Sequence, residues 1–377
     1  MRRSAWAKSG DVGLIPEPLP ARLHCGISCQ RKTPSLSTES SERARTGGDI
    51  PDGQPVLFAL KGSEALGRQV AAAAGVEVGQ HEEREFERGE HKTRPLSPVR
   101  GRPVAVLHAV HGDVQGPSVN DRLLRLWLFI AALKEGGASS VTALVPYLPY
   151  SRKDRRTQPG DPVSSRYVAQ HFEVAGVDTL VSIEPHNLAA FENAFRCCTV
   201  PIPLAAVLED WVAGIKSDVQ WTVVSPDAGG VKRAQLVRES LERRIGAQVE
   251  FAFVEKRRQD DKVATGRLAG EVRGKACLIV DDLVSSGGTL ARAGVACRAA
   301  GATQLIAAVA HGLFLPAAAA SFAAATFDSV IVTDSVPCAE RDAAPLAVTV
   351  LPTRAVFAAA LRYAWAGTRL PWLRPEP

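Results

Sequence analysis

Asp281 and Asp282 stand side by side at the end of an apolar run, and Ser285, Ser286, Gly287, Gly288 and Thr289 follow at once, giving LIVDDLVSSGGTL from Leu278 to Leu290. Glycine lets a backbone come close to a phosphate, and the three hydroxyls add donors. A helix opening at the glycines would add N–H groups and a dipole that favour an anion. Two carboxylates beside such a cradle would repel a phosphate unless they serve something else, and ribose hydroxyls, or a Mg2+ bridging to them, answer that need. The plainer reading is a polar strand end with a glycine-rich helix entry. A lone glycine loop would support no more than that; paired acids and paired hydroxyls in register with it point to a sugar phosphate.

Three other segments carry chemistry. VPYLPYSRKDRRTQPGDPVSSRYVA, Val145 to Ala169, runs from an apolar strand into a loop with Arg152, Lys153, Arg155 and Arg156. Each guanidinium can bond two phosphate oxygens, which suits a triphosphate. SIEPHN carries His186, and VVSPDAGGVKRA carries Asp227 ahead of Gly229 and Gly230. A carboxylate is an expected ligand of Mg2+ and an imidazole a less usual one. In FVEKRRQDDKVATGRLAGEV a strand end leads into a polar run, Arg258 to Thr265, with the makings of a lid.

These loops need strands and helices to hold them. Apolar runs predict strands over 103–110, 141–145, 179–183, 222–225, 250–254, 276–280, 304–309 and 329–333, several of them apolar throughout, as strands covered on both faces are. Between them, amphipathic patterns predict helices over 121–134, 162–174, 230–244 and 287–300, the second with Asp161 at its N-cap and Pro162 at its first position. Alternation of this kind predicts parallel sheets. AGVDTLVSIEPHN from Ala175 and AGATQLIAAVAHG from Ala300 echo each other, and the echo places His186 and His311 in equivalent positions of two similar halves.

A chain of 377 residues exceeds the ~250–300 at which single cores stop growing, so two domains are expected. The net charge of +5, with 45 basic against 40 acidic side chains, implies no nucleic-acid-binding surface. Seven cysteines without framework spacing suit a reducing, cytoplasmic setting. No apolar run is long enough for a membrane span. Residues 1–52 are rich in Ser, Pro, Arg and Gly and lack periodicity, which predicts a disordered extension.

The loop at Leu278–Leu290 resembles the signature shared by phosphoribosyltransferases and phosphoribosyl pyrophosphate (PRPP) synthetases. With the other three segments, the stretch from Pro55 to Pro352 resembles ribose-phosphate pyrophosphokinase. The resemblance implies an α/β fold of two similar phosphoribosyltransferase-type domains, each a mostly parallel sheet flanked by helices, at 53–204 and 205–352, with a C-terminal helix and tail at 353–377. It implies transfer of the pyrophosphoryl group of Mg-ATP to the C1 hydroxyl of ribose 5-phosphate, giving PRPP and AMP, in a homo-oligomer with sites near subunit interfaces.

By the same resemblance Lys256 and Arg258 are catalytic, and His186 and Asp227 hold Mg2+. Arg152, Lys153 and Arg155 bind ATP. Asp281, Asp282, Ser285, Ser286, Gly287, Gly288 and Thr289 bind ribose 5-phosphate. FERGE, Phe86 to Glu90, resembles the family's adenine-contacting hairpin, which implies ATP contacts from Phe86, Arg88, Gly89 and Glu90. Three positions depart from the family pattern: Ser285 and Arg88 replace acids, and Lys153 replaces a glutamine. A phosphoribosyltransferase that consumes PRPP, or a non-catalytic regulatory subunit, are the competing readings.

Overall fold

The apolar runs become the strands of two sheets. In chain order the first half has β1 (Val56–Ala59), α1 (Glu64–Ala74), β2 (Glu77–Val78), β3 (His81–Glu85), β4 (His91–Pro95), β5 (Pro103–Leu107), α2 (Val119–Glu135), β6 (Ser140–Leu144), α3 (Ser164–Ala175), β7 (Thr179–Ile183), α4 (Leu188–Ala194) and β8 (Cys198–Ile202). Strands β2-β1-β5-β6-β7-β8 form a parallel sheet in that order, and β3 and β4 pair as a separate antiparallel hairpin. Short helices α5 (Leu204–Val207) and α6 (Glu209–Ala213) lead to the second half. There follow β9 (Trp221–Ser225), α7 (Val231–Ile245), β10 (Glu250–Gln259), β11 (Lys262–Ala269), β12 (Ala276–Val284), α8 (Gly288–Ala299), β13 (Gln304–Gly312), α9 (Ala318–Ala325), β14 (Ser329–Thr333), β15 (Ala347–Leu351) and α10 (Arg354–Ala366). The second sheet has the order β11-β10-β9-β12-β13-β14-β15, antiparallel only between β10 and β11.

This computed structural model describes residues 53–113, 116–215, 219–259, 262–337 and 347–373, without the side chains of 256–259 and 262–266. The N-terminal extension expected at 1–52 lies outside the described residues. Those described fall in one compact unit. One apolar cluster joins the two sheets, with Leu57, Val181 and Ile183 of the first packed in the same core as Val223, Leu278 and Ile306 of the second. Helix α10 returns to the first half. Its Phe357, Ala360 and Leu361 share that core with Val70 and Ala71 of α1, and Arg362 Nη1 donates to Ala73 O at 3.2 Å.

Strand orders β2-β1-β5-β6-β7-β8 and β10-β9-β12-β13-β14-β15 superimpose as one topology used twice. The match extends to side chains. Asp178 Oδ2, just before β7, accepts from Val141 N at 2.7 Å and Lys134 Nζ at 2.9 Å. Asp328 Oδ2, just before β14, accepts from Leu305 N at 2.7 Å and Arg298 Nη2 at 2.7 Å. This pairing corrects the sequence echo, because β13 corresponds to β6 and not to β7. Counting on from Val141 and Leu305, the counterpart of His311 is therefore Tyr147 rather than His186. A helix–Gly–strand joint precedes β2, β6, β7, β10 and β13 alike, so a short echo slips easily by one unit.

Two further differences have local causes. Helix α3 begins at Ser164, because Asp161 is used elsewhere: its Oδ2 accepts from Thr157 N, Thr157 Oγ1 and Gln158 N, closing a turn in the preceding loop. The polar run after Val254 is strand as far as Gln259 and again from Lys262. It continues as β10 and pairs with β11 through Arg258↔Val263 and Gln259↔Lys262, with a bulge between Glu255 and Arg257.

Candidate active site

Strand β12 lies between β9 and β13, and its first five residues are buried. Ligands of open α/β sheets bind outside the carboxyl ends of such strands. Ladder pairing continues through the acids to Val284↔Gly312, so Asp281 and Asp282 sit on a rigid strand rather than on a loop. Gly287 then turns the chain with φ 75°, and a Cβ there would stand 3.3 Å from Ser321 Cβ, so glycine answers both backbone and space. Helix α8 starts at the next residue, which places its unpaired N–H groups beside Ser285 and Ser286.

The turn after β7 reaches this strand end from the other sheet. Glu184 adopts φ 40°, an uncommon left-handed conformation for a residue with a side chain. Beyond Pro185, His186 Nδ1 lies 2.7 Å from Asp282 Oδ2. Burial works to raise the Asp282 carboxyl, but the His186 hydrogen bond and the Arg233 charge outweigh it and hold it well below the usual carboxylate range. An ionised Asp282 can only accept, so His186 Nδ1 carries a proton, and in the neutral ring Nε2 is the nitrogen with the lone pair. Nε2 makes no hydrogen bond among the described residues. Asp281 goes the other way: burial and the neighbouring Asp282 charge push it well above the ordinary value.

Arg233, in the first turn of α7, binds these pieces together. Its Nε donates to Glu184 Oε1 at 2.8 Å and its Nη2 to the His186 carbonyl at 3.2 Å, while Nη1 lies 3.4 Å from Asp281 Oδ1 and 3.7 Å from Asp282 Oδ1. The side chain is 9% exposed, so these contacts act in a poorly screened setting. Upstream of the same helix, Asp227 Oδ1 accepts from Gly229 N at 2.9 Å and Gly230 N at 3.2 Å.

Among the described residues no group of three or more His, Cys, Asp or Glu side chains could hold a metal. A Mg2+ that took most of its ligands from phosphate and water would need few from the protein, and His186 Nε2 and the Asp227 carboxylate are donors of the kind it could use.

The basic loop adjoins the His186 turn. Asn187 accepts from Ala190 N to cap α4 and donates its Nδ2 to Asp154 Oδ2 at 2.8 Å. Arg152, Lys153 and Arg155 flank Asp154, are exposed, and have no carboxylate partner among the described residues. The turn Phe86–Glu90 closes the β3–β4 hairpin, Phe86 N donating to Glu90 O at 2.8 Å, with Arg88 at φ 63° and Gly89 at φ 91°. No hydrogen bond or ion pair links this turn to His186, Asp227 or Asp281–Thr289 among the described residues. Lys256 and Arg258 lie in β10, and their side chains fall outside the described residues.

Arg233, Glu184 and Arg292 were not singled out from the sequence. Arg292 Nη2 donates to Thr289 Oγ1 at 3.3 Å, and Nη1 stands over Gly288, so a cation borders the glycine cradle. Helical spacing carried both arginine signals: Arg292 is one turn after Thr289, and Arg233 opens the helix that follows Asp227.

Comparison with known proteins supports the same organisation. Residues 55–176 match the family described as the N-terminal domain of ribose phosphate pyrophosphokinase, and residues 204–321 match the phosphoribosyl transferase domain. Ribose-phosphate pyrophosphokinase 1 of Streptococcus pneumoniae serotype 4 is 33% identical over 286 residues, covering 74% of this chain and 84% of that protein. The protein of the same name from Streptococcus pyogenes serotype M1 is 32% identical over 289 residues, covering 74% and 85%. Among solved structures, phosphoribosylpyrophosphate synthetase from Mycobacterium smegmatis aligns with a TM-score of 0.72 at 30% identity, over 84% of this chain and all of that one.

Proposed function

The chain belongs to the ribose-phosphate pyrophosphokinase family of enzymes, and on that premise we propose that it transfers the β,γ-pyrophosphoryl group of Mg-ATP to the C1 hydroxyl of ribose 5-phosphate, forming PRPP and AMP. The observation that carries the reading is the contact between His186 and Asp282, which joins a metal-suited imidazole from one half to the acid pair and glycine cradle of the other. A phosphoribosyltransferase needs only the second half of this arrangement.

In this reading the N–H groups at the start of α8, with Ser285, Ser286 and Thr289, hold the 5-phosphate, and Asp281 and Asp282 face the ribose. Arg152, Lys153 and Arg155 meet the ATP phosphates, with Lys256 and Arg258 placed to neutralise charge on the transferred group. His186 and Asp227 would hold a Mg2+, which when bound screens and orients the phosphate oxygens. Asp282 keeps His186 in the tautomer that leaves Nε2 free, and Arg233 fixes the turn that presents it. Raised as it is, Asp281 is the carboxyl of the pair better suited to exchange a proton with a ribose hydroxyl.

Domains at 53–204 and 205–352, a C-terminal segment at 353–377 and a cytoplasmic setting form part of the same reading. So does a homo-oligomer in which the Phe86–Glu90 turn, unbonded to its own chain's site among the described residues, serves the adenine of a neighbour. Mixing inactive Phe86→Ala and Lys256→Ala chains should restore activity; no recovery in the mixture counts against shared sites. Incubation with ribose 5-phosphate, ATP and Mg2+ tests the reaction, and AMP that appears only when the sugar is present is the expected outcome.

A further inference from the structure

His311 is buried at the carboxyl end of β13, 3% exposed, and belongs to none of the substrate contacts above. Its Nε2 lies 3.1 Å from the carbonyl of Ile183, the last residue of β7 in the other sheet. A carbonyl only accepts, so Nε2 carries the proton and Nδ1 is an acceptor. Ser335 Oγ, 2.8 Å from Nδ1, is then the donor, and Thr333 Oγ1 donates to Ala310 O at 2.7 Å. The ring meets Tyr147 edge-on, with centroids 5.0 Å apart. Tyr147 and His311 are counterparts in the two halves, so the halves touch here through equivalent positions.

The residue after Ile183 is Glu184, whose left-handed φ of 40° starts the turn to His186. That turn is gripped at three points from the second half: His311 holds the Ile183 carbonyl, Arg233 holds Glu184 and the His186 carbonyl, and Asp282 holds the His186 ring. We propose that His311 is a positioning residue, a neutral Nε2–H donor that fixes the base of this turn and so sets how firmly His186 can ligate a divalent cation. The inference rests on the reading of His186 as a metal-bearing residue. Contacts made directly to a ligating side chain commonly change metal affinity about 10- to 100-fold when lost, and His311, acting through the backbone, belongs at the lower end of that range.

The test is binding of Mn2+ to the full chain, alone and with a non-hydrolysable ATP analogue, followed by electron paramagnetic resonance, with thermal unfolding in parallel. Wild type that binds no Mn2+ removes the metal reading itself, and His311 with it. Where wild type binds, His311→Leu should weaken Mn2+ by about tenfold and change the KM for ribose 5-phosphate less than twofold. His311→Gln, which keeps a donor at the same reach, should stay within about threefold of wild type. Unchanged Mn2+ affinity in His311→Leu overturns the proposal, as does equal weakening of Mn2+ and ribose 5-phosphate. If His311→Leu does not fold, Ser335→Ala decides: the ring stays and loses its Nδ1 donor, Mn2+ should weaken about two- to threefold by the same principle, and no change overturns the proposal.

Discussion

His186 Nδ1 and Asp282 Oδ2 meet at 2.7 Å although they come from different sheets, so the tautomer of an imidazole in one half is set by a carboxylate in the other. Asp282→Asn keeps the shape and removes the charge. It should raise the Mg2+ concentration needed for half-maximal activity by about tenfold or more. Asp281→Asn should leave the Mg2+ requirement within about threefold and raise the KM for ribose 5-phosphate instead. Equal shifts in both variants, read from Mg2+ titrations of initial rate, contradict this division of labour.

Arg233 is the only cation bonded to Glu184, Asp281 and Asp282 among the described residues. Arg233→Met leaves buried carboxylates without their partner and should cost about 3–5 kcal/mol of stability. Arg233→Lys keeps a charge but not the fork, and should fall between. Urea unfolding of the three proteins checks the order.

Arg292 borders the glycine cradle. Arg292→Ala should raise the KM for ribose 5-phosphate by about tenfold, the size expected for one charge-assisted hydrogen bond, and leave the KM for ATP unchanged. A shift in the ATP term alone places the guanidinium on the wrong substrate.

Much of this site was legible because the sequence left little choice. An apolar run of strand length such as Ala276–Val280 reads as a strand covered on both faces, and whatever follows it falls at the carboxyl end of the sheet. The acid pair and the glycine turn were therefore placed at that end from residue types alone. Arg233 and Arg292 were not, because a lone arginine on a helix looks like solvent-facing charge until the strand it faces is known. Asp161 was misread for a related reason. Asp before Pro is a good helix start, but the carboxylate was already used by Thr157 and Gln158 in a turn whose closure depends on the loop's path. The equivalence of His311 with Tyr147 needed the paired bonds of Asp178 and Asp328, which carry no distinctive local sequence.

Acid should destabilise the fold through two buried histidines. Burial pulls His311 down to about 4, with Asp282 and Arg233 the nearest charges, and pulls His108 down to about 3, with Arg122, Glu83, His111 and Arg125 around it. Unfolded imidazoles near 6.5 take up protons that the folded ones refuse, so stability present above that pH is lost as pH falls, and the loss from His311 levels off below about 4. For His311 the span corresponds to about 3 kcal/mol. His311→Gln should flatten the pH dependence of urea unfolding between pH 6.5 and 4 by an amount of that order; an unchanged slope shows that His311 is protonated in the native state.

Transfer of pyrophosphate, rather than of a single phosphate, is the claim on which everything else rests. ATP labelled at the β-phosphorus, given with ribose 5-phosphate and Mg2+, follows it directly. The label should leave the nucleotide and appear at C1 of the sugar, in step with unlabelled AMP. Label that remains in ADP, or that leaves ATP equally well without ribose 5-phosphate, contradicts the account.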